Sequence, residues 1–328
     1  MIDRRTLLGA GLAWPALTLS GLDAAAAQEG RTTRLLVGFP PGGGLDVIAR
    51  LLASRLNATG QPVVVENRPG AGSLVAAEAL AQSPPDGTVL MAAPIVVSAF
   101  FPFIHQRLSF DPLKDLAPVT MIGTFNFALV VRGDHPARNL GEFVEWARAR
   151  GTSVNVGSIS PGTPSHFLGV LFNRIAGTAM THVPYRGSSP LQAALLAGEV
   201  HCAFDTTAST LGQLRDGAMR ALAVTGATRT ATLPEVPSFA EAGPPLAEMA
   251  AAEFWYGVYA PGRTPEETRN RWATVLGGIL REAATAARLL DMDLTPRPMT
   301  PAEFGAVIAA DAARWEPVIR ASGFTVNN

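Results

Sequence analysis

Arg34-Leu35-Leu36-Val37-Gly38-Phe39-Pro40-Pro41-Gly42-Gly43-Gly44-Leu45-Asp46 is the stretch that decides the fold. Its apolar opening reads as a buried strand over residues 34–39, and residues 40–44 read as a turn. Leu45, Ile48, Leu52 and Leu56 then recur along one helical face, which predicts a helix over 45–56. A strand, a glycine turn and a helix in that order form the first half of a β-α-β unit.

The rhythm continues outward from this stretch. A second strand is expected at 62–66, ended by Asn67-Arg68-Pro69-Gly70. A helix at 73–82 follows, stopped by Pro84-Pro85-Asp86-Gly87, and then a third strand at 88–92. Alternation of this kind implies a mainly parallel sheet covered by helices. It restarts in mid-chain with helices at 140–150, 164–175 and 190–197 and strands at 153–156, 181–184, 200–204 and 220–225. Two apolar runs stand apart, at 125–131 and 254–260, and read as crossings between two α/β lobes. The first domain would be residues 31–127 plus 254–328, and the second 128–253. The apolar run 91–104 is interrupted by Pro94, Ser98 and Pro102, and reads as core and loop. Two lobes joined by two crossings can close on a ligand held between them. A rigid two-domain enzyme would share this layout.

Bulk properties narrow the class. Arg4-Arg5, an apolar run from Leu7 to Leu19 and Ala24-Ala25-Ala26-Ala27 describe a cleaved signal peptide over 1–27, and the paired arginines point to twin-arginine export. A membrane anchor fits less well, because Pro15 and Ser20 interrupt a run shorter than the ~20 residues a span needs. Cys202 is the single cysteine, so there is no internal disulfide and no acylation site near the leader. A formal net charge of −1 argues against a nucleic-acid partner.

The glycine turn suits an anion. Glycines allow close backbone approach, and the first N–H groups of the following helix carry partial positive charge. A phosphate-binding P-loop would need Gly-Lys-Ser/Thr, and no lysine is present here. A dinucleotide fingerprint would need a third glycine where Val47 stands. A turn serving only the fold remains the alternative.

Several segments together resemble the extracytoplasmic receptors of tripartite tricarboxylate transporters, the Bug-type solute receptors. They are residues 37–43 with Asp46, then Val64-Val65-Glu66-Asn67-Arg68-Pro69-Gly70-Ala71-Gly72, Pro84-Pro85-Asp86-Gly87-Thr88, His182-Val183-Pro184-Tyr185-Arg186-Gly187 and Leu222-Ala223-Val224-Thr225. The resemblance implies a two-lobed type II periplasmic binding protein fold that closes on a small carboxylate. Backbone amides, hydroxyls and waters would hold the ligand, with no cofactor and no metal. The expected partner is the permease of such a transporter, and the receptor itself is expected to be monomeric and periplasmic. Carried over residue by residue, the first-lobe loop is Pro41, Gly42, Gly43 and Gly44 with Asp46. The second-lobe loop includes Ser158, Ser160, Gly162 and Thr163, with His166 after it. Tyr185, Arg186 and Gly187, and then Phe204 and Asp205, would supply further walls. Gly44-Leu45 stands where the family often has Ala-Thr, and Ser160-Pro161 where Gly-Asn is common. Loss of polar groups points to a less polar ligand, such as an aromatic or short aliphatic monocarboxylate.

Other chemistry fits less well. The five histidines, His105, His135, His166, His182 and His201, lack metal-pair spacing, and one cysteine cannot complete a zinc set. Cys202 reads as a small core residue. Ser158-Ile159-Ser160-Pro161-Gly162 resembles a nucleophile elbow, but Ser158 replaces the required glycine and Pro161 lacks an oxyanion-hole N–H. Asp46 reads either as a stabiliser of the helix start or as an acceptor for the ligand or its waters. Arg186 is a rim charge or a secondary carboxylate partner. Trp255 and Tyr256 pack the second crossing or face the ligand. A sensory module presenting its ligand to a signalling partner would need the same pocket.

Overall fold

Val37 closes strand β1 (Thr33–Val37) and Gly44 opens helix α1 (Gly44–Ala58), so the glycine turn joins the two. The computed structural model describes residues 32–326, and the expected export signal lies outside them. Leu45, Ile48, Leu52 and Leu56 are all buried, so the helical face predicted from their spacing is the one that packs on the sheet. β1 lies between parallel neighbours, β2 (Val63–Asn67) and β3 (Val89–Pro94). Helix α2 (Leu74–Ala81) makes the crossover between these two.

Pro94 ends β3 without breaking the core. A buried π-helical turn over Val96–Phe100 follows, and then α3 (Phe101–Ile104). Pro102 occupies the first turn of α3, where a missing N–H costs nothing. The expected loop in this run is therefore helical, because both prolines stand at element boundaries.

Next come β4 (Leu116–Phe125), a ten-residue strand, and β5 (Phe127–Arg132), separated by Asn126 alone. Helix α4 (Leu140–Arg150) is capped by Asn139, whose side chain accepts from the Glu142 N–H. The chain then alternates β6 (Asn155–Ser158), α5 (Pro164–Ala176), β7 (Thr181–Pro184), α6 (Ser188–Ala197), β8 (Cys202–Thr206), α7 (Thr207–Arg215) and β9 (Met219–Val224). It returns through β10 (Phe254–Pro261), α8 (Glu266–Arg281), α9 (Ala283–Asp291), β11 (Thr295–Pro296) and α10 (Pro301–Ser322). No helix among the described residues is long and apolar enough to cross a membrane.

Two sheets result, β11-β4-β10-β3-β1-β2 and β7-β6-β8-β5-β9. Each has a parallel run, β3-β1-β2 in the first and β7-β6-β8 in the second, and beside it an antiparallel strand that the chain lays down just after passing from the other sheet. The short edge strand β11 is also antiparallel to β4. β10 runs antiparallel between β3 and β4, and β5 antiparallel between β8 and β9. The two apolar runs read as crossings are thus buried strands inside the sheets, which explains why they are apolar throughout.

One core runs past both sheets. Phe167 packs on Phe100 with centroids 5.4 Å apart, and Phe100 packs on Trp315 of α10 at 5.3 Å. Trp315 meets Phe254 of β10 at 5.6 Å, and Phe254 meets Phe127 of β5 at 4.9 Å. Separate clusters back the outer faces, with α1 and α8 on the first sheet and α6 on the second.

Candidate functional site

The cleft follows from where the strands end. In open α/β sheets, ligands settle beyond the carboxyl ends of the strands. Here Phe39 lies just past β1, Pro94 and Phe125 end β3 and β4, Ser160 lies past β6, and Thr206 ends β8. All five residues line a cleft that draws walls from both sheets.

The cleft has two compartments, of about 480 and 560 Å³, sharing Phe39, Phe125, Ile159, Thr206 and Tyr256 as common walls. The smaller is largely apolar, with Phe101, Ile104, Phe127 and Phe324 among its walls. The larger is where helices begin: Gly43 and Gly44 at α1, Gly187 and Ser188 at α6, Thr206 and Thr207 at α7. Thr163 and Pro164, at the start of α5, face the smaller compartment. The first N–H groups of a helix have no partner within it and carry partial positive charge, so these starts favour an anion. Among the described residues neither compartment is lined by a lysine or arginine, and their titratable residues are His105, Tyr256 and Asp293.

The predicted residues divide sharply on this geometry. Gly43, Gly44, Ser160, Gly162, Thr163 and Gly187 line the cleft, whereas Pro41 and Gly42 are exposed beside it and line neither compartment. Four glycine amides expected to meet the ligand are already engaged: Gly43 N donates to Pro40 O at 3.3 Å and Gly187 N to Ile159 O at 2.7 Å. Gly42 N donates to Asp46 Oδ2 at 2.8 Å, and Gly162 N donates to His166 Nδ1 at 3.2 Å.

Asp46 is 1 % exposed and fully engaged, since Arg50 Nε also donates to Oδ2 (2.8 Å) and Asn67 Nδ2 to Oδ1 (2.7 Å). Burial alone would raise its pKa. The donors Arg50, Gly42 and Asn67 outweigh that and hold the carboxylate at about 2. Asp46 is therefore a clamp between the glycine turn, α1 and the end of β2. Of its two sequence readings, stabilisation of the helix start is the one this geometry matches; an acceptor for the ligand is not.

Asp205 plays the corresponding part in the second sheet. It is wholly buried and accepts from Ser188 Oγ (2.6 Å), Gln192 Nε2 (2.9 Å) and Thr206 N (2.8 Å), fastening the starts of α6 and α7 together. Burial raises its pKa against those hydrogen bonds. Phe204 is also buried, between Phe172 and Phe239, and is no cleft wall. Ser158 is buried, with its Oγ 2.6 Å from His182 Nε2. His182 stacks on His166 with centroids 3.9 Å apart. Burial, with His182 adding to it, pushes His166 down to about 4. Tyr185 packs behind the second sheet and Arg186 is exposed, and neither lines a compartment.

Successive residues on a strand face opposite ways, and this separates the aromatic pair on β10. Tyr256 lines both compartments, while Trp255 turns inward and its indole N–H donates to Asp311 Oδ2 at 2.8 Å. Several walls escaped the sequence reading, among them Phe39, Phe101, Phe125 and Phe127. Strand-end position is the signal that would have found Phe39 and Phe125. Phe324 carries no local signal.

Two sheets of this topology, with helix starts around a cleft between them, define a type II periplasmic binding protein. The family model described as tripartite tricarboxylate transporter family receptor matches residues 48–324, and the chain belongs to that family. It is 33 % identical over 299 residues to protein BugT of Bordetella pertussis, covering 89 % of this chain and 90 % of that one. An R. palustris protein solved with adipate superimposes with a TM-score of 0.79 at 31 % identity, covering 91 % of this chain and 99 % of that one. MatC from Rhodopseudomonas palustris with bound malate gives 0.74 at 29 % identity, covering 88 % and 99 %.

Proposed function

We propose that this chain is a periplasmic receptor that captures a small carboxylate between two lobes, residues 31–127 plus 254–328 and residues 128–253, and delivers it to the permease of a tripartite tricarboxylate-type transporter. The observation that carries this reading is the convergence of helix starts on a cleft that no lysine or arginine lines among the described residues. An anion entering there meets main-chain N–H groups fixed in place before it arrives, so little ordering cost falls on binding. Gly44 and Leu45, at the start of α1, supply the first-lobe side of the cradle. Thr163, Ser188 and Ala208, at the starts of α5, α6 and α7, supply the second. A ligand touching both sides favours the closed arrangement. Relatives solved with adipate and malate support the carboxylate class.

The test is a thermal-shift screen of the mature protein against mono-, di- and tricarboxylates, sugars and nucleotides. A ligand that binds only the folded form raises the melting temperature. The expected result is a hit among carboxylates and none among the others. A sugar or nucleotide hit without a carboxylate hit would overturn the assignment.

A further inference from the structure

The smaller compartment says more about the ligand than its charge. Its walls include Phe39, Phe101, Ile104, Phe125, Phe127 and Phe324, and it encloses about 480 Å³. That is a usual size for a small-molecule site. A ligand with one carboxylate can place that group at the helix starts. A second carboxylate would lie near Asp293, which lines the neighbouring compartment, or in the smaller one, where the start of α5 at Thr163 stands among mostly aromatic and aliphatic walls. An ionised group buried among apolar side chains without a partner is costly, and one facing an acid is repelled. An apolar body, by contrast, gains from every surface it covers there.

Phe324 sets the end of this space. It follows α10, and the tail behind it is fastened where Val326 N donates to Ile104 O at 2.7 Å. Its ring meets His166 edge-on with centroids 5.4 Å apart, and a Cβ placed on Gly162 would stand 2.7 Å from its Cε1. Beyond the ring lies a separate pocket of about 340 Å³ lined by His166, Asn173 and His182, and Phe324 is the wall that both spaces share.

We propose that the ligand is a monocarboxylic acid with an aromatic or branched aliphatic body, that this body fills the smaller compartment, and that Phe324 limits its length. The proposal rests on the carboxylate-receptor reading and narrows it. The ligand's carboxylate stays at the helix starts while its apolar end abuts the Phe324 ring.

Titration calorimetry of the mature protein with phenylacetate, 4-phenylbutanoate, isovalerate, malate, citrate and neutral phenylacetamide tests it. The expected result is that phenylacetate or isovalerate binds at least about tenfold more tightly than malate or citrate, and that phenylacetamide does not bind. Phe324→Ala is expected to shift preference toward 4-phenylbutanoate over phenylacetate. Phe324→Leu, a milder change, shifts it in the same direction should the alanine variant fail to fold. Malate or citrate binding more tightly than every apolar monoacid would overturn the proposal and leave the receptor reading intact. Absence of binding by all the acids here, together with a screen empty of carboxylates, would remove the receptor reading itself. An unchanged order of acid lengths in the folded Phe324 variant would remove Phe324 from the account.

Discussion

Phe125 and Tyr256 stack face to face, with ring centroids 4.6 Å apart and planes 23° apart, on antiparallel neighbours β4 and β10. The pair stands where the chain leaves the first sheet, and both rings line both compartments. It is therefore the partition between the compartment where α1, α6 and α7 begin and the more apolar one, and a ligand spanning the two must lie across it.

Tyr256→Ala should weaken binding of the tightest carboxylate by about tenfold or more, since it removes a ring-sized wall and unstacks Phe125. Tyr256→Phe keeps the ring and should stay within about twofold of the parent by calorimetry. A large loss in the phenylalanine variant would show that the hydroxyl, not the stacked ring, makes the contact.

Asp46 should hold the glycine turn in shape. Its carboxylate, at about 2, lies below the usual aspartate range near 4. The stability it contributes is therefore fully present above pH ~4 and is lost as pH falls toward 2, amounting to about 2 kcal/mol. Asp46→Asn should lower neutral-pH stability in urea unfolding by roughly that amount and flatten the acid limb below pH ~4. An acid limb as steep as the parent's would show that the clamp carries no such weight.

The His166–His182 stack gives a second and separate acid transition. His166 Nδ1 accepts from Gly162 N, so it must be unprotonated for the second-lobe loop to keep its form. Its pKa is lowered to about 4 from an ordinary value near 6.5, so its contribution is present above pH ~6.5 and fades as pH falls toward 4. Melting temperature should drop by several degrees across that window. His166→Gln should remove most of that slope while leaving the Asp46 limb below it. Equal slopes for both proteins between pH 6.5 and pH 4 would contradict this.

Asp293 links the two sheets at the rim of the larger compartment. It lies between α9 and β11 in a left-handed conformation (φ 55°), where its carboxylate accepts from Thr207 Oγ1 and, at 2.6 Å, from Thr232 Oγ1. Asp293→Gly removes both bonds without adding backbone strain, so it should cost about 1–3 kcal/mol. The loss should be measurable as a melting temperature lower by a few degrees. A variant as stable as the parent would mean that the hydroxyls find other partners at no cost.

Much of this architecture was legible in the chain. Periodicity placed α4 and β7 at their observed limits, and the spacing of Leu45, Ile48, Leu52 and Leu56 identified the buried face of α1. The loops on both sides of the cleft were found as well, because glycine and proline punctuate them. Other features were settled only by tertiary contact. Gly42 and Gly162 looked like free anion donors, and nothing in their neighbourhood shows that Asp46 and His166 reach back to take their N–H groups. β5 and β10 read as uninterrupted apolar runs, since strands buried on both faces lose the alternation that marks them. Phe324 meets the Gly162 loop from the far end of the chain, a distance across which no periodic pattern operates.

A crystal structure of the mature protein with its tightest-binding carboxylate is the most direct test of the central claim. It should show a single head group within hydrogen-bonding distance of main-chain N–H groups at the start of α1 and, at once, at the start of α5, α6 or α7, with the rest of the molecule lying across Phe125 and Tyr256. A carboxylate seated on one sheet alone, or drawn to arginine side chains outside the cleft, would contradict it.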